Sequence, residues 1–198
     1  MTTASTIQEL YVAYFNRPAD VAGLKFWSDI LAANPGAYRD IVQDFSNSAE
    51  YLQAFRGLDS RQVVDTVYQH LFGRHAESAG VDYWAGLLDN KAVTIGNVVT
   101  EVAHGALGKD KIVIDGRVAV ATAFTDHLDL KLEQLAYTGS GPNRIAADYL
   151  ATIVDAQSAA VALVPANIDN EISKFAAPVV TPVVGLGVEI VGVPQGHG

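Results

Sequence analysis

The 198-residue sequence has no cysteine, a single methionine and few charges: Asp, Glu, Lys and Arg together make up 18%. Without cysteine there are no disulfides, zinc–thiolate sites, iron–sulfur clusters or thiol nucleophiles. Basic residues are the scarcer sign, 13 against 22 acidic, giving a net charge of -9. The imbalance is spread evenly, with 7 basic and 11 acidic groups in residues 1–100 and 6 and 11 in residues 101–198. Such a surface repels phosphate backbones, so nucleic acid is not an expected partner. No apolar run reaches the roughly 18 residues that a membrane-crossing helix needs. The N-terminal Thr2-Thr3-Ala4-Ser5-Thr6 has neither the basic nor the apolar region of a secretory signal peptide. What is abundant is apolar: 49% hydrophobic residues exclude disorder for most of the chain and can fill one sizeable core or two small ones.

Motifs that carry chemistry are also missing. There is no Gly-Gly-x-Gly-x-Asp calcium turn, EF-hand loop, His-Glu-x-x-His or Gly-x-Ser-x-Gly. Gly185-Leu186-Gly187 does not extend to a dinucleotide fingerprint. The histidines (His70, His75, His104, His127, His197) are scattered, and Asp126 and Asp129 beside His127 read as a solvated helix face. No catalytic residue, no metal ligand set and no resident cofactor are therefore assigned, and the protein is not expected to be an enzyme.

The sequence does contain a duplication. Residues 10–31 (LYVAYFNRPADVAGLKFWSDIL) align with residues 67–88 (VYQHLFGRHAESAGVDYWAGLL) at a constant offset of 57, without gaps. The offset superimposes Tyr11 on Tyr68, Phe15 on Phe72, Arg17 on Arg74, Gly23 on Gly80 and Trp27 on Trp84, with Asp20 opposite Glu77. Apolar residues recur at helical spacing: Ile7, Leu10, Tyr11, Tyr14 and Phe15 in one copy, Val63, Val64, Val67, Tyr68, Leu71 and Phe72 in the other. Thr6 and Glu9 have capping-box spacing, and Asp59 or Ser60, Asp20 and Ser78 are further candidate caps. A glycine inside a helix costs about 1 kcal/mol relative to alanine, so its use twice at one place predicts close approach of the preceding helix's backbone. Arg17 and Arg74 are expected to bond helix-end carbonyls or to pair with Asp20 and Glu77.

Further amphipathic helices are predicted over residues 37–55, 94–107 and 112–137, the last with Ile114, Val118, Ala121, Phe124, Leu128 and Leu132 on one face. Gly139-Ser140-Gly141-Pro142 breaks the chain. An Ala-rich helix then runs from Ala146 to Val164, where Pro165 stops it, and residues 166–176 add a short turn. The expected organisation is all-α: a helical repeat at 1–58, a second repeat and following helix at 59–138, an Ala-rich helical part at 139–176, and a Val/Pro/Gly-rich extended tail or linker at 177–198. Of the aromatic residues, the repeated Tyr11, Phe15, Trp27, Tyr68, Phe72 and Trp84 read as core, while Tyr14, Phe26, Tyr38, Tyr83, Tyr137 and Tyr149 are candidates for partly exposed contact.

The repeat pattern, with Phe-(Gly/Asn)-Arg, Ala-Gly and (Phe/Tyr)-Trp at fixed spacing, resembles the DUF4214 repeat of large secreted bacterial proteins. These include S-layer proteins and adhesins related to type I secreted RTX proteins, and the repeat is more distantly similar to phycobilisome linker domains. Residues 111–127 and 146–164 are similar to the helices that follow such repeats. The resemblance implies a non-catalytic anchoring and assembly module on the cell surface, exported by a type I machine. It implies copies of itself and outer-membrane lipopolysaccharide as partners, with calcium acting only through assembly or through a region beyond this chain. Tyr38, Arg39, Asn47, Arg56 and Arg61 are the candidate glycan-binding residues. The alternatives are a helical accessory module of an exported adhesin or hydrolase, and a linker-type scaffold.

Overall fold

Helix α1 (Thr3–Phe15) starts the chain, and its cap is Thr2, whose side chain accepts from the Ser5 N–H at 3.1 Å, four residues ahead of the predicted box. The computed structural model describes residues 2–176. Among these, the protein is all-α, with twelve helices, one 3-10 turn and no strand. The expected tail at 177–198 lies outside the described residues.

The first copy continues as α2 (Val21–Ala33), a 3-10 turn (Pro35–Ala37), α3 (Tyr38–Asn47) and α4 (Ala49–Ala54). The helix predicted over 37–55 is thus two, because Ser48 leaves the helical region and caps α4 through the Tyr51 N–H. The second copy is α5 (Ser60–Phe72), α6 (Ser78–Asp89), α7 (Ile95–His104) and the 20-residue α8 (Gly108–His127). Asp59 closes a full capping box on α5 with Gln62, and Glu77 rather than Ser78 precedes α6.

Equivalent positions of α1 and α5 face one common core. Ile7, Leu10 and Tyr11 meet Val64, Val67 and Tyr68, joined by Ile41, Phe45 and Tyr51 from the first copy and Val98, Val99 and Val102 from the second. At about 1.5–3 kcal/mol for each such side chain removed from water, this shared interior is the main force holding the copies together. Tyr14 and Tyr51 also reach across the seam, donating to the Gly96 carbonyl (2.6 Å) and the Ile95 carbonyl of α7.

A second core lies beyond α8, among α10 (Ser140–Ala151), α11 (Ala156–Ala162) and α12 (Pro165–Ser173). Val12 of α1 and Val120, Ala121 and Phe124 of α8 face it, while Ile114 of α8 faces the first core. Helices α1 and α8 thus join the two halves, and Gly116 lets α11 come close: a Cβ there would sit 2.9 Å from that of Ala159.

Four differences from the sequence reading have local causes. The helix predicted over 112–137 breaks at Leu128, and the short α9 (Lys131–Ala136) buries none of its residues, so Leu132 is exposed rather than on the apolar face. The Ala-rich helix breaks at residues 152–155. Pro165 starts α12 instead of ending a helix, since at the first helical position its missing N–H costs nothing. Tyr14, Tyr137 and Tyr149 are buried, each with its hydroxyl on a backbone carbonyl, whereas Phe26 and Tyr83 are exposed.

Candidate functional site

The repeated arginines build the same knot twice. Arg17 lies over the rings of Tyr11 and Phe15, 5.4 and 5.5 Å from their centroids, and donates to the Pro18 carbonyl at 3.1 Å. Arg74 lies over Tyr68 and Phe72 at 5.2 and 5.9 Å and donates to the His75 carbonyl at 3.0 Å. Each also grips a carboxylate with two nitrogens: Arg17 holds Glu50 at 2.8 and 2.9 Å, and Arg74 holds Asp110 at 2.9 and 2.6 Å. Both carboxylates stand in the first turn of the helix that follows the copy's third long helix. A bidentate guanidinium–carboxylate pair backed by aromatic faces fixes orientation as well as charge. Burial opposes the Arg17 charge, but Glu50 outweighs it and holds the pKa above the usual value.

Both arginines bond carbonyls just past their helix ends, but only one of the two expected carboxylate pairings is found. Glu77 pairs with Arg74 at 2.7 Å, but Asp20 caps α2 through the Gly23 N–H at 2.8 Å instead of meeting Arg17. The predicted close approach at Gly23 and Gly80 comes from the preceding helix, but through the hydroxyls of Tyr11 and Tyr68 rather than its backbone. Trp27 and Trp84 occupy matching surroundings, each partly buried and edge-on to its exposed neighbour: Phe26 at 4.9 Å and 77°, Tyr83 at 5.1 Å and 78°.

A third arginine, missed in the sequence, is Arg117 of α8. It is fully buried, has no carboxylate partner among the described residues, and donates to the carbonyls of Gln69 (3.2 Å), His70 and Ile153 (3.3 Å). Its charge thereby meets the negative end of α5. Burial lowers its pKa to about 10, still well above neutrality. His70, ring against Phe55, is pushed down to about 4 by burial and by the Arg117 charge.

The candidate glycan residues fall in different places. Arg39 and Asn47 line one groove of about 560 Å³ between α3 and the start of α7, together with Gln43, Ser46, Thr94 and Asn97. None of its lining residues is acidic, and Arg39 makes no ion pair among the described residues. Tyr38 is half-buried against the first core. Arg56 is exposed after α4, and Arg61 pairs with Asp82 at 2.6 Å on the outside of α5. Gln43, Thr94 and Asn97 carry no sequence signal of their own, since the groove exists only where the copies meet. Among the described residues, no three His, Asp or Glu side chains gather as a metal site, and no helix is long and apolar enough to cross a membrane.

The family described as "Domain of unknown function (DUF4214)" matches the sequence twice, over residues 1–55 and 53–106. The chain belongs to the DUF4214 family. No curated protein and no solved structure matches it. The first DUF4214 match contains the carboxylate of its own knot, Glu50. The second ends before α8, which supplies Asp110, so α8 completes the second DUF4214 unit from outside the matched region.

Proposed function

We propose that the protein is a non-catalytic anchoring and assembly module of a secreted bacterial cell-surface layer, contacting outer-membrane polysaccharide and copies of itself. The observation that carries this reading is the groove at the seam of the two repeats. In a chain of net charge -9, it offers a carboxylate-free lining in which the amides and hydroxyls of Gln43, Ser46, Asn47, Thr94 and Asn97 and the Arg39 guanidinium stand among the apolar Val42, Leu52 and Ile95. A sugar chain needs donors and acceptors at fixed spacing, and a phosphorylated glycan needs an approach free of like charge. The resemblance of the repeat to those of S-layer proteins and adhesins supplies the cellular context, and a scaffold with two buried cores joined by α1 and α8 suits a mechanical role. On this reading the arginine knots tie the helices of each repeat together and turn over no substrate.

The test is co-sedimentation of the protein with vesicles carrying smooth or rough lipopolysaccharide, with electron microscopy with and without calcium. Binding that requires the long polysaccharide, and falls at least tenfold in an Arg39→Ala/Asn47→Ala variant of unchanged helicity, supports the proposal. A monomer indifferent to both vesicle types and to calcium removes it.

A further inference from the structure

Apart from Gln157 and Ser158, helix α11 consists of alanine and valine. Its inner face, Ala159 and Ala162, packs into the second core, where Gly116 of α8 lets it approach. Its outer face, Ala156, Gln157, Ala160 and Val161, is exposed, with Val161 57% accessible. Leu163 and Val164, just past its end, are exposed as well. Residues 156–168 carry no charge, the longest such run among the described residues. A surface helix ordinarily turns charged side chains outward, and a helix apolar on all sides is a buried one. The exposed leucines of α9 are a different case, because Lys131 and Glu133 are interleaved with them.

Beside the outer face of α11 runs a groove of about 490 Å³, bounded by α10, α11 and α12. Tyr149, Thr152, Val161 and Ala162 line it, with Asn167 and Asn170 along α12. Its two carboxylates are engaged: Asp155 caps α11 through the Ser158 N–H at 2.7 Å, and Glu171 pairs with Lys174 at 2.6 Å. An uncharged convex edge and a concave one thus lie side by side. A two-fold contact sets the same patch on both partners, so a face that meets itself needs both shapes.

We propose that α11 and the groove beside it form a two-fold interface with a second copy of this chain. Charge selects the partner. At net charge -9, copies repel one another over most of their surface and come together where neither side carries charge. The outer face of α11 holds no charged group with which to recognise an ion, a phosphate or a charged peptide. Antiparallel α11 helices cross near Ala160, the middle of the exposed face, where alanine allows close approach. Leu163 and Val164 of each copy then enter the groove of the other. A helix of seven residues is about 10 Å long, so the contact falls short of the roughly 800 Å² per partner of a standard interface. A weak pair is therefore expected, filled when copies are held at high local density on a surface. The inference rests on the assembly half of the reading above and uses none of the residues of the seam groove.

Sedimentation equilibrium of the full chain from roughly 10 µM to ~1 mM brackets an expected Kd of the order of 100 µM. Added salt should tighten the pair by screening the repulsion. Val161→Lys and Ala160→Lys should each weaken it at least tenfold with helicity unchanged. Both reduce the net negative charge, so general repulsion between copies predicts the opposite. Leu132→Lys, among the exposed leucines of α9, should not weaken it. The absence of cysteine allows a second readout. On mild oxidation Ala160→Cys should give a disulfide-linked dimer and Leu132→Cys should not, since a disulfide needs Cα atoms within about 7 Å. The interface is overturned by a monomer throughout that range, by lysine variants that associate like the parent, or by cross-linking at position 132 rather than 160. A monomer whose Ala160→Cys thiol resists labelling assigns the cover to residues 177–198 of the same chain and equally refutes a second copy. The vesicle assay separates the two proposals: Arg39→Ala/Asn47→Ala should lose lipopolysaccharide yet associate like the parent. Lipopolysaccharide binding by a chain that stays monomeric, or that pairs regardless of α11, refutes the interface and leaves the anchoring reading standing.

Discussion

Helices α1 and α5 occupy the same position in the two repeats and end on the same left-handed turn, yet they are closed by different means. The α1 end uses Asn16 (φ 50), and the α5 end uses Gly73 (φ 67). Both residue types tolerate that conformation, so local backbone geometry does not explain the choice. The surroundings do. A Cβ on Gly73 would lie 2.6 Å from the Arg117 Nη2, because the buried guanidinium caps the last carbonyls of α5 from there. One repeat thus needs glycine for its neighbour's sake, and the other merely needs a residue that accepts a positive φ.

The sharpest way to break this comparison is to exchange the two residues. Gly73→Asn should displace Arg117 and leave carbonyls without their donor, costing about 3 kcal/mol. Asn16→Gly should stay within about 1 kcal/mol, the ordinary entropic cost of a glycine. Chemical denaturation of the two variants checks this, and equal losses would remove the special role given to Arg117.

The knots differ in the same sense. The Arg17 side chain is 11% exposed and that of Arg74 35%, although their partners are alike in kind. Arg17→Met should cost about 2 kcal/mol, and Arg74→Met about 1 kcal/mol, because solvent screens the more open pair. A double-mutant cycle with Glu50→Gln and with Asp110→Asn separates pairing from packing.

Acid should attack one end only. The folded-state pKa of His70 is lowered from 6.5 to about 4, so the unfolded chain binds the proton more readily between those values. Its contribution is therefore full above about pH 6.5 and is lost as pH falls toward 4, by up to about 3 kcal/mol. The matching position in the first repeat is Ala13, which has nothing to titrate. His70→Ala should lower stability at pH 7 but flatten the slope between pH 6.5 and 4, as thermal melts across that range would show.

How far the sequence reveals this architecture follows from where each interaction is encoded. The duplication, the all-α class and the buried faces of α1 and α5 are legible because apolar periodicity is a local pattern. The ion pairs of Arg17 with Glu50 and Arg74 with Asp110 are not legible by the offset. The carboxylates lie 60 residues apart rather than 57, each anchored to its own helix start. Arg117 is invisible because a charged residue within a helix reads as surface, and only the meeting of α8 with the end of α5 gives it carbonyls. The seam groove depends on elements far apart in the chain, α3 and the start of α7. Arg39 and Asn47 could be named as sugar partners by residue type, but the partition of Arg56 and Arg61 to other faces follows from packing alone.

The smallest expected difference concerns the paired helix glycines, and it tests whether the two copies are packed to equal tolerance. A Cβ at Gly23 would overlap the Tyr11 hydroxyl and lie 2.8 Å from Asp20 Oδ2, whereas at Gly80 the nearest atom, the Tyr68 hydroxyl, is 3.0 Å away. Alanine gains about 1 kcal/mol of helix propensity at either site. At Gly80, where Tyr68 can give by a few tenths of an ångström, the gain and the crowding should cancel and leave stability nearly unchanged. At Gly23 the buried Tyr11 ring is held by Phe15 and Phe45 at 5.5 and 5.1 Å and by Arg17 above it, so it has no room to retreat. Gly23→Ala should therefore be net destabilising by about 1 kcal/mol despite better propensity. Combining it with Tyr11→Phe removes the obstructing oxygen and should recover most of the loss, while Tyr68→Phe should do nothing comparable for Gly80→Ala. If both alanines prove equally harmful, the obstruction is not the tyrosine hydroxyl, and the closeness of the two helices has another cause.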